Sequence, residues 1–297
     1  MKLDTSDYPA VFQAADSTSS VAQRAYLRLT MAILGLLVTG AALAAVSGEF
    51  PAGASGFAVA SAIVLAASLL LSVYRESLKL EHVWYGGRAV AETGKSMTWR
   101  YITGAEPYPI DLAPAEAEKK FLADLGSIVK ERKQLALGLG GEFAGAPQIS
   151  KRMREARAAN LVERKDTYLL ERIQDQRRWY GKRAKFHSSA GNRYFMVIVV
   201  SQLFALASAI ALVHWPSSKI QLTGLFASLA SALMAWLQVK QHKELSQGYA
   251  VVDMELSFIE EQATRVASER DLSDFVVDAE GAISREHTVW VARRDRG

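Results

Sequence analysis

Four long stretches of this 297-residue chain carry no Asp, Glu, Lys or Arg, and nothing else in it constrains the fold as strongly. The first pair is Leu29 to Gly48 (20 residues) and Pro51 to Tyr74 (24 residues); the second is Tyr194 to Ser218, broken only by His214, and Ile220 to Val239. A helix rising about 1.5 Å per residue crosses a hydrocarbon core of roughly 30 Å in such a length. The predicted spans are therefore about 29–48, 51–74, 194–215 and 220–239. Residues 47–53 and 214–219 are rich in Gly, Pro and Ser and too short for a domain, so each pair reads as a tight hairpin. The first stretch follows a polar leader of Asp, Ser, Thr and Gln and exceeds the apolar core of a signal peptide, so it reads as a retained span.

Orientation follows from the basic residues at the span ends, because cytoplasmic flanks carry the excess of Lys and Arg. The outer turns carry only Lys219. The other side carries Arg24, Arg28, Arg75, Lys79, Lys182, Arg183, Lys185, Arg193, Lys240 and Lys243. Both termini and the 75–193 region are thus predicted on the cytoplasmic side of the membrane. Tyr26, Tyr74 and Tyr194 mark the inner interface, and Phe50 and Trp215 the outer one.

The remainder is too charged to enter lipid. Arg75 to Arg193 holds 23 Lys or Arg against 15 Asp or Glu, a surplus suited to anionic headgroups or an anionic ligand. Pro114 to about Leu137 places Phe121, Leu122, Leu125, Ile128 and Val129 on one helix face. Glycines at 138, 140, 141 and 145, followed by Pro147, mark a linker over 141–149. It separates a first two-helix module, 20–140, from a second, 150–297. Ser150 to Arg193 has no proline, a helix start expected at Asp166, and no strong breaker before the third span, so a long helix is expected to enter the membrane. Tyr249, Val252, Leu256, Ile259, Ala263 and Val266 form a coiled-coil seam that needs a partner. The acidic balance of 240–297, 12 acidic against 8 basic residues, suits docking on the basic middle region.

The fold class expected is an all-α membrane protein: four transmembrane helices as two hairpins, plus cytoplasmic amphipathic and coiled-coil helices. No catalytic chemistry is legible. The five histidines are scattered, there is no cysteine, and no nucleophile elbow, phosphate loop or dinucleotide fingerprint occurs. The expectation is a non-enzyme without cofactor, metal or nucleic-acid partner.

The spans contain small polar residues instead of charges, which argues against proton- or ion-coupled transport. Ser61, Ser68 and Ser72 fall on one face of the second span; Ser201, Gln202 and Ser208 cluster in the third, and Ser228, Ser231 and Gln238 in the fourth. They are candidates to line an aqueous path, and equally to let helices pack. Four helices enclose no wide path, so a pore requires a homo-oligomer. Gly138, Gly140 and Gly141 are the candidate gating hinge.

The segment with Trp84, Tyr85, Arg88, Ala89, Glu92, Lys95, Trp99, Arg100, Tyr101 and Pro107 resembles one type of the bacterial SLATT domains, two-helix membrane effector modules associated with SMODS nucleotidyltransferases and SLOG sensors. The second half resembles another type, through Glu171, Arg172, Ile173, Gln174, Asp175 and Gln176, then Trp179, Tyr180, Ala184 and the closing stretch from Ser284 to Trp290. The resemblance covers roughly 20–140 and 150–295. It implies an effector of bacterial conflict systems that forms pores or disrupts the membrane, with a nucleotide second messenger or a sensor protein as trigger. Two other readings are a channel with a housekeeping role and a non-conducting scaffold for a cytoplasmic partner.

Overall fold

A computed structural model describes residues 3–46, 54–131, 147–215 and 222–294, and their side chains except at 54–55, 131 and 285–294. The proposed glycine hinge (Gly138, Gly140, Gly141), Phe50, Lys219 and the side chain of Trp290 lie outside what is described. The elements in chain order are α1 (Ala10–Val46), α2 (Ala54–Ser77), α3 (Leu80–Thr103), α4 (Pro114–Glu131), α5 (Lys151–Ala158), α6 (Leu161–Tyr168), a π-helical segment (Leu169–Gln174), α7 (Asp175–His214), α8 (Leu222–Lys240), α9 (His242–Gln262) and α10 (Glu269–Arg294). No strand occurs among the described residues. The chain is an all-α membrane protein with four helices long and apolar enough to cross a bilayer.

Two compact units result, and neither is contiguous in sequence. A hairpin unit takes 24–80 and 185–246; a polar unit takes 1–23, 81–184 and 247–297. In the hairpin unit, only 6% to 17% of the most apolar stretch of each of the four long helices is buried. Leu70 and Val213, 70% and 77% exposed, are the extremes. A water-soluble protein does not present apolar surface on this scale, whereas hydrocarbon tails cover it.

The polar unit buries an aromatic and aliphatic core. Phe121 and Leu125 of α4 enter it and Ile128 and Val129 pack against it. Leu122 does not; it is 44% exposed, because it stands one residue round the helix from Phe121, at the edge of the face. The seam of α9 has its partner within the chain: Val252, Leu256, Ala263 and Val266 are in this core, with Tyr249 and Ile259 packed against it. The helix stops at Gln262, so the last two positions follow it in a 3-10 turn and its exit.

The polar leader is also part of this core. Leu3, Tyr8, Val11, Phe12 and Ala15 are all buried, and the leader continues into α1. Gly87 of α3 permits the approach: a Cβ there would lie 3.0 Å from the Ala15 carbonyl oxygen and 3.0 Å from Ser19 Cβ.

The expected helix start at Asp166 is corrected. Asn160 caps α6, its side chain accepting the Glu163 N–H at 2.9 Å, and Asp166 sits inside the helix. Asn serves the first-turn donors as well as Asp does, and it stands directly before the helix. From Leu161 the helical run is continuous to His214, as the absence of breakers implied.

Among the described non-glycine residues, Lys79 (φ 46°) and Gln241 (φ 45°) alone have positive φ, each just before a helix that follows the second span of a hairpin, α3 and α9. A Cβ in this region costs about 1 kcal/mol. Replacing Lys79 or Gln241 with Gly is expected to stabilise the protein by about 1 kcal/mol, less the entropy that Gly adds to the unfolded chain. Valine at either position is expected to destabilise it, as read by thermal unfolding in detergent.

Candidate functional site

Within the hairpin unit, the serines of α2 are tied to α1. Ser61 is buried and its Oγ donates to the Gly40 carbonyl at 2.9 Å; Ser68 reaches the Ile33 carbonyl at 3.5 Å; Ser72 bonds back to Ser68 of its own helix. Gly40 leaves room for Leu65, whose Cδ2 would lie 2.8 Å from a Cβ there. This is small-residue helix packing of the kind found between membrane helices.

In the second hairpin Ser201 is buried and bonds back to Val197, Ser208 accepts from Thr223 Oγ1 at 3.1 Å, and Phe204 stacks on Phe226. Ser228 is half-buried, whereas Gln202, Ser231 and Gln238 are exposed. The structure does bring three of these positions together: a crevice of about 340 Å³ is lined by Gly40, Ala41, Ala44, Ser61, Ser228 and Ser231, among others. Its walls are mostly apolar.

At one end of the second hairpin, His187 Nδ1 lies 2.9 Å from His242 Nδ1, both rings buried. Tyr194 stacks on His242, its hydroxyl accepts from Trp236 Nε1 at 3.2 Å, and Lys240 lies over Trp236. A separation of 55 residues hides this pair from any search by helical spacing. One imidazole nitrogen must donate and the other accept, so the contact needs at least one neutral ring with a free lone pair. Burial pulls His242 below the ordinary value of 6.5, and the Lys240 charge acts in the same direction.

The polar unit gathers the residues on which the resemblance rested. Arg88 pairs with Glu92 at 2.6 Å and with Asp16 at 3.6 Å. Trp84 is buried and stacks on Tyr85, and its carbonyl accepts from Ser19 Oγ at 2.9 Å. Trp99 is buried edge-on to Tyr168. Trp179 and Tyr180 pack with Tyr249 of α9, and Arg183 lies over the Trp179 ring.

At the centre, Arg172 holds Glu280 of α10 by two bonds, Nε to Oε1 and Nη2 to Oε2, each 2.8 Å; Tyr168 donates to the same carboxylate at 3.0 Å. Both charged side chains are essentially inaccessible, at 1% and 0%. Burial disfavours the guanidinium's charge, but Glu280 outweighs it and holds the pKa above the usual arginine value. Nearby Lys95 is lowered by burial and by the Arg172 charge, with Glu92 opposing, and burial pushes the Tyr8 hydroxyl up to about 12.

Two further arginines of the basic segment are buried, and this was not legible from charge alone. Helix α3 ends in a Schellman turn, with Gly104 at φ 73°, the Ala105 N–H bonded to the Arg100 carbonyl and the Gly104 N–H to that of Tyr101. Arg157 donates to the carbonyls of Tyr101, Tyr108 and Pro109 at 2.7–2.8 Å. Arg164 reaches the Thr103 carbonyl and Glu269. These cations occupy the negative end of the α3 dipole, where carbonyls lack helical donors. A cleft of about 480 Å³ beside them is lined by Trp99, Arg164 and the carboxylates Glu155, Glu163, Asp166 and Glu171.

Family models match nearly the whole chain. Residues 9–165 match SMODS and SLOG-associating 2TM effector domain 3, and residues 168–290 match SMODS and SLOG-associating 2TM effector domain 1. The chain belongs to the SLATT family. The two SLATT matches meet inside α6, so the second begins with Tyr168, the π segment and Arg172. No curated protein and no solved structure matches the chain.

Removing one partner of the buried pair strands the other charge. Arg172→Met or Glu280→Leu alone is expected to lose about 3–5 kcal/mol in denaturant unfolding, and the double variant to recover most of it. The histidine pair carries a pH dependence of defined sign. The folded state prefers neutral His242, so its contribution is complete above 6.5 and is lost as pH falls below that value. Thermal stability in detergent is expected to drop on acidification through this window, and His242→Gln to flatten that dependence.

Proposed function

We propose that this SLATT protein is an oligomeric membrane effector of bacterial conflict defence that, once triggered, forms or opens an ion-conducting path, depolarises the inner membrane and arrests growth. The observation that carries the reading is the match of both halves to two-span effector domains. The spans support it by what they contain. They lack ionisable groups of the kind a coupled transporter uses, apart from His214 at one end, and they carry polar amides and hydroxyls instead.

The second hairpin is the better candidate for the path, because it presents Ser231 and Gln238 on its surface, while Ser61 and Ser68 are engaged with α1. In this reading both termini and the polar unit are cytoplasmic, which the basic flanks favour. The uninterrupted run Leu161–His214 carries residues of both units and would be the coupling element. The four carboxylates of the cleft beside Arg157 and Arg164 disfavour an anionic nucleotide there, which favours a sensor protein as the input.

The test is to follow membrane potential and viability together in bacteria induced to express the full chain, beside cells expressing the chain truncated after Gly141. Depolarisation that precedes loss of viability and requires the second hairpin is the expected result. If purified oligomers in vesicles leave ions impermeant, and cells remain polarised with a cognate sensor co-expressed, the non-conducting scaffold replaces this reading.

A further inference from the structure

The third span presents two distinct faces. One is covered within the hairpin unit: Ile198 and Ser201 are 3% and 4% exposed, and Ser208 bonds to Thr223 of α8. The other runs through Phe195, Val199, Gln202, Leu206, Ala209 and Val213, in alternating steps of four and three. Phe195, Leu206 and Val213 are 58%, 56% and 77% exposed, and Gln202 is exposed between them. That spacing is the seam of a helix packed against another helix, yet no helix of this chain covers it among the described residues.

Gln202 makes the difference between a lipid-facing stripe and an unfilled interface. Its amide offers two donors and a two-lone-pair acceptor, and it has no hydrogen bond among the described residues. It stands about 12 Å along the helix from Tyr194 and about 18 Å from His214, well inside the hydrocarbon. Gln238 is different, since it lies two residues from Lys240 and reaches the interface. A polar side chain in mid-span, without water, is expected to face protein or a water-filled cavity. Glutamine is self-complementary: the amide of one copy donates to the carbonyl of an identical amide and accepts from it. One polar residue in an apolar seam also sets register and orientation.

We propose that the Gln202 face of α7 is a self-association surface, occupied by the same face of a second copy of this chain, with Gln202 hydrogen-bonded across the interface. The proposal rests on the oligomeric reading above and assigns it a surface.

The chain has no cysteine, so single cysteines report contacts directly. Leu206→Cys on the seam and Val200→Cys on another exposed face are introduced into the full chain and oxidised in native membranes. Leu206→Cys is expected to yield about tenfold more covalent dimer than Val200→Cys. Adding Gln202→Leu is expected to lower that yield about three- to tenfold, the range for a buried interhelical hydrogen bond, while Gln202→Asn retains most of it. Equal cross-linking at the two faces, or a yield indifferent to Gln202→Leu, overturns the proposal. Membrane potential read in the same cells, with a cognate sensor co-expressed, separates the two ideas: seam cross-linking without depolarisation sinks the pore and keeps the interface, and depolarisation without seam cross-linking does the reverse.

Discussion

Hydrocarbon offers no hydrogen bonds, and the architecture of this protein follows from that constraint. Every backbone polar group in the spans must be paired within a helix, so the four apolar stretches can be nothing else. Several hydroxyls find an acceptor within reach, as with Ser61 on the Gly40 carbonyl, Ser201 on that of Val197 and Thr223 on the Ser208 hydroxyl. Charges are sorted to the ends. There Arg75 lies over Tyr26 and bonds Thr30, and Lys240 lies over Trp236, pairing a cation with an aromatic face where chain and headgroup meet.

The polar unit answers the opposite problem, that of burying charge among water-facing helices. It does so at three arginines of one segment, each held by two or more acceptors, although the buried Nη1 of Arg172 has none among the described residues. Arg157 and Arg164 close the carbonyl end of α3, and Arg172 meets Glu280 in a two-pronged contact that Tyr168 completes. The π-helical turn at Leu169–Gln174 belongs to the same solution. Arg164, Tyr168 and Arg172 are spaced by four, a step that drifts round a regular α-helix; a wider turn keeps Arg172 directed at α10. The basic excess of this segment is therefore partly structural. What remains outside, such as Arg178, Lys182, Arg183, Lys185 and Arg193, is exposed along α7 and suits anionic headgroups.

Legibility differed by kind of signal. The amphipathic α4, the continuous run into the third span and the seam of α9 are local periodicities, and all three appear in the structure. The leader was misread as merely polar because Asp, Ser, Thr and Gln dominate its composition; the spacing of Tyr8, Val11, Phe12 and Ala15 was the available signal. Leu122 and Asp166 failed for a related reason. Helix-face membership and capping each have near-equivalent candidates within two turns, and only packing chooses among them. The His187–His242 contact and the Arg172–Glu280 pair join residues 55 and 108 apart, and no local rule reaches that far.

The sequence by itself determined that this is an all-helical, four-span membrane protein of two hairpins, because uncharged length against bilayer thickness leaves no alternative. It also carried the SLATT likeness, through aromatic and charged residues at helical spacing. Tertiary structure alone decided that 1–23, 81–184 and 247–297 form one unit, and which basic residues are buried. It also decided which polar side chains in the spans have a partner, leaving Gln202 without one. These outcomes depend on contacts between distant segments, and there a single turn of helix decides whether a side chain meets a carbonyl, a carboxylate or lipid.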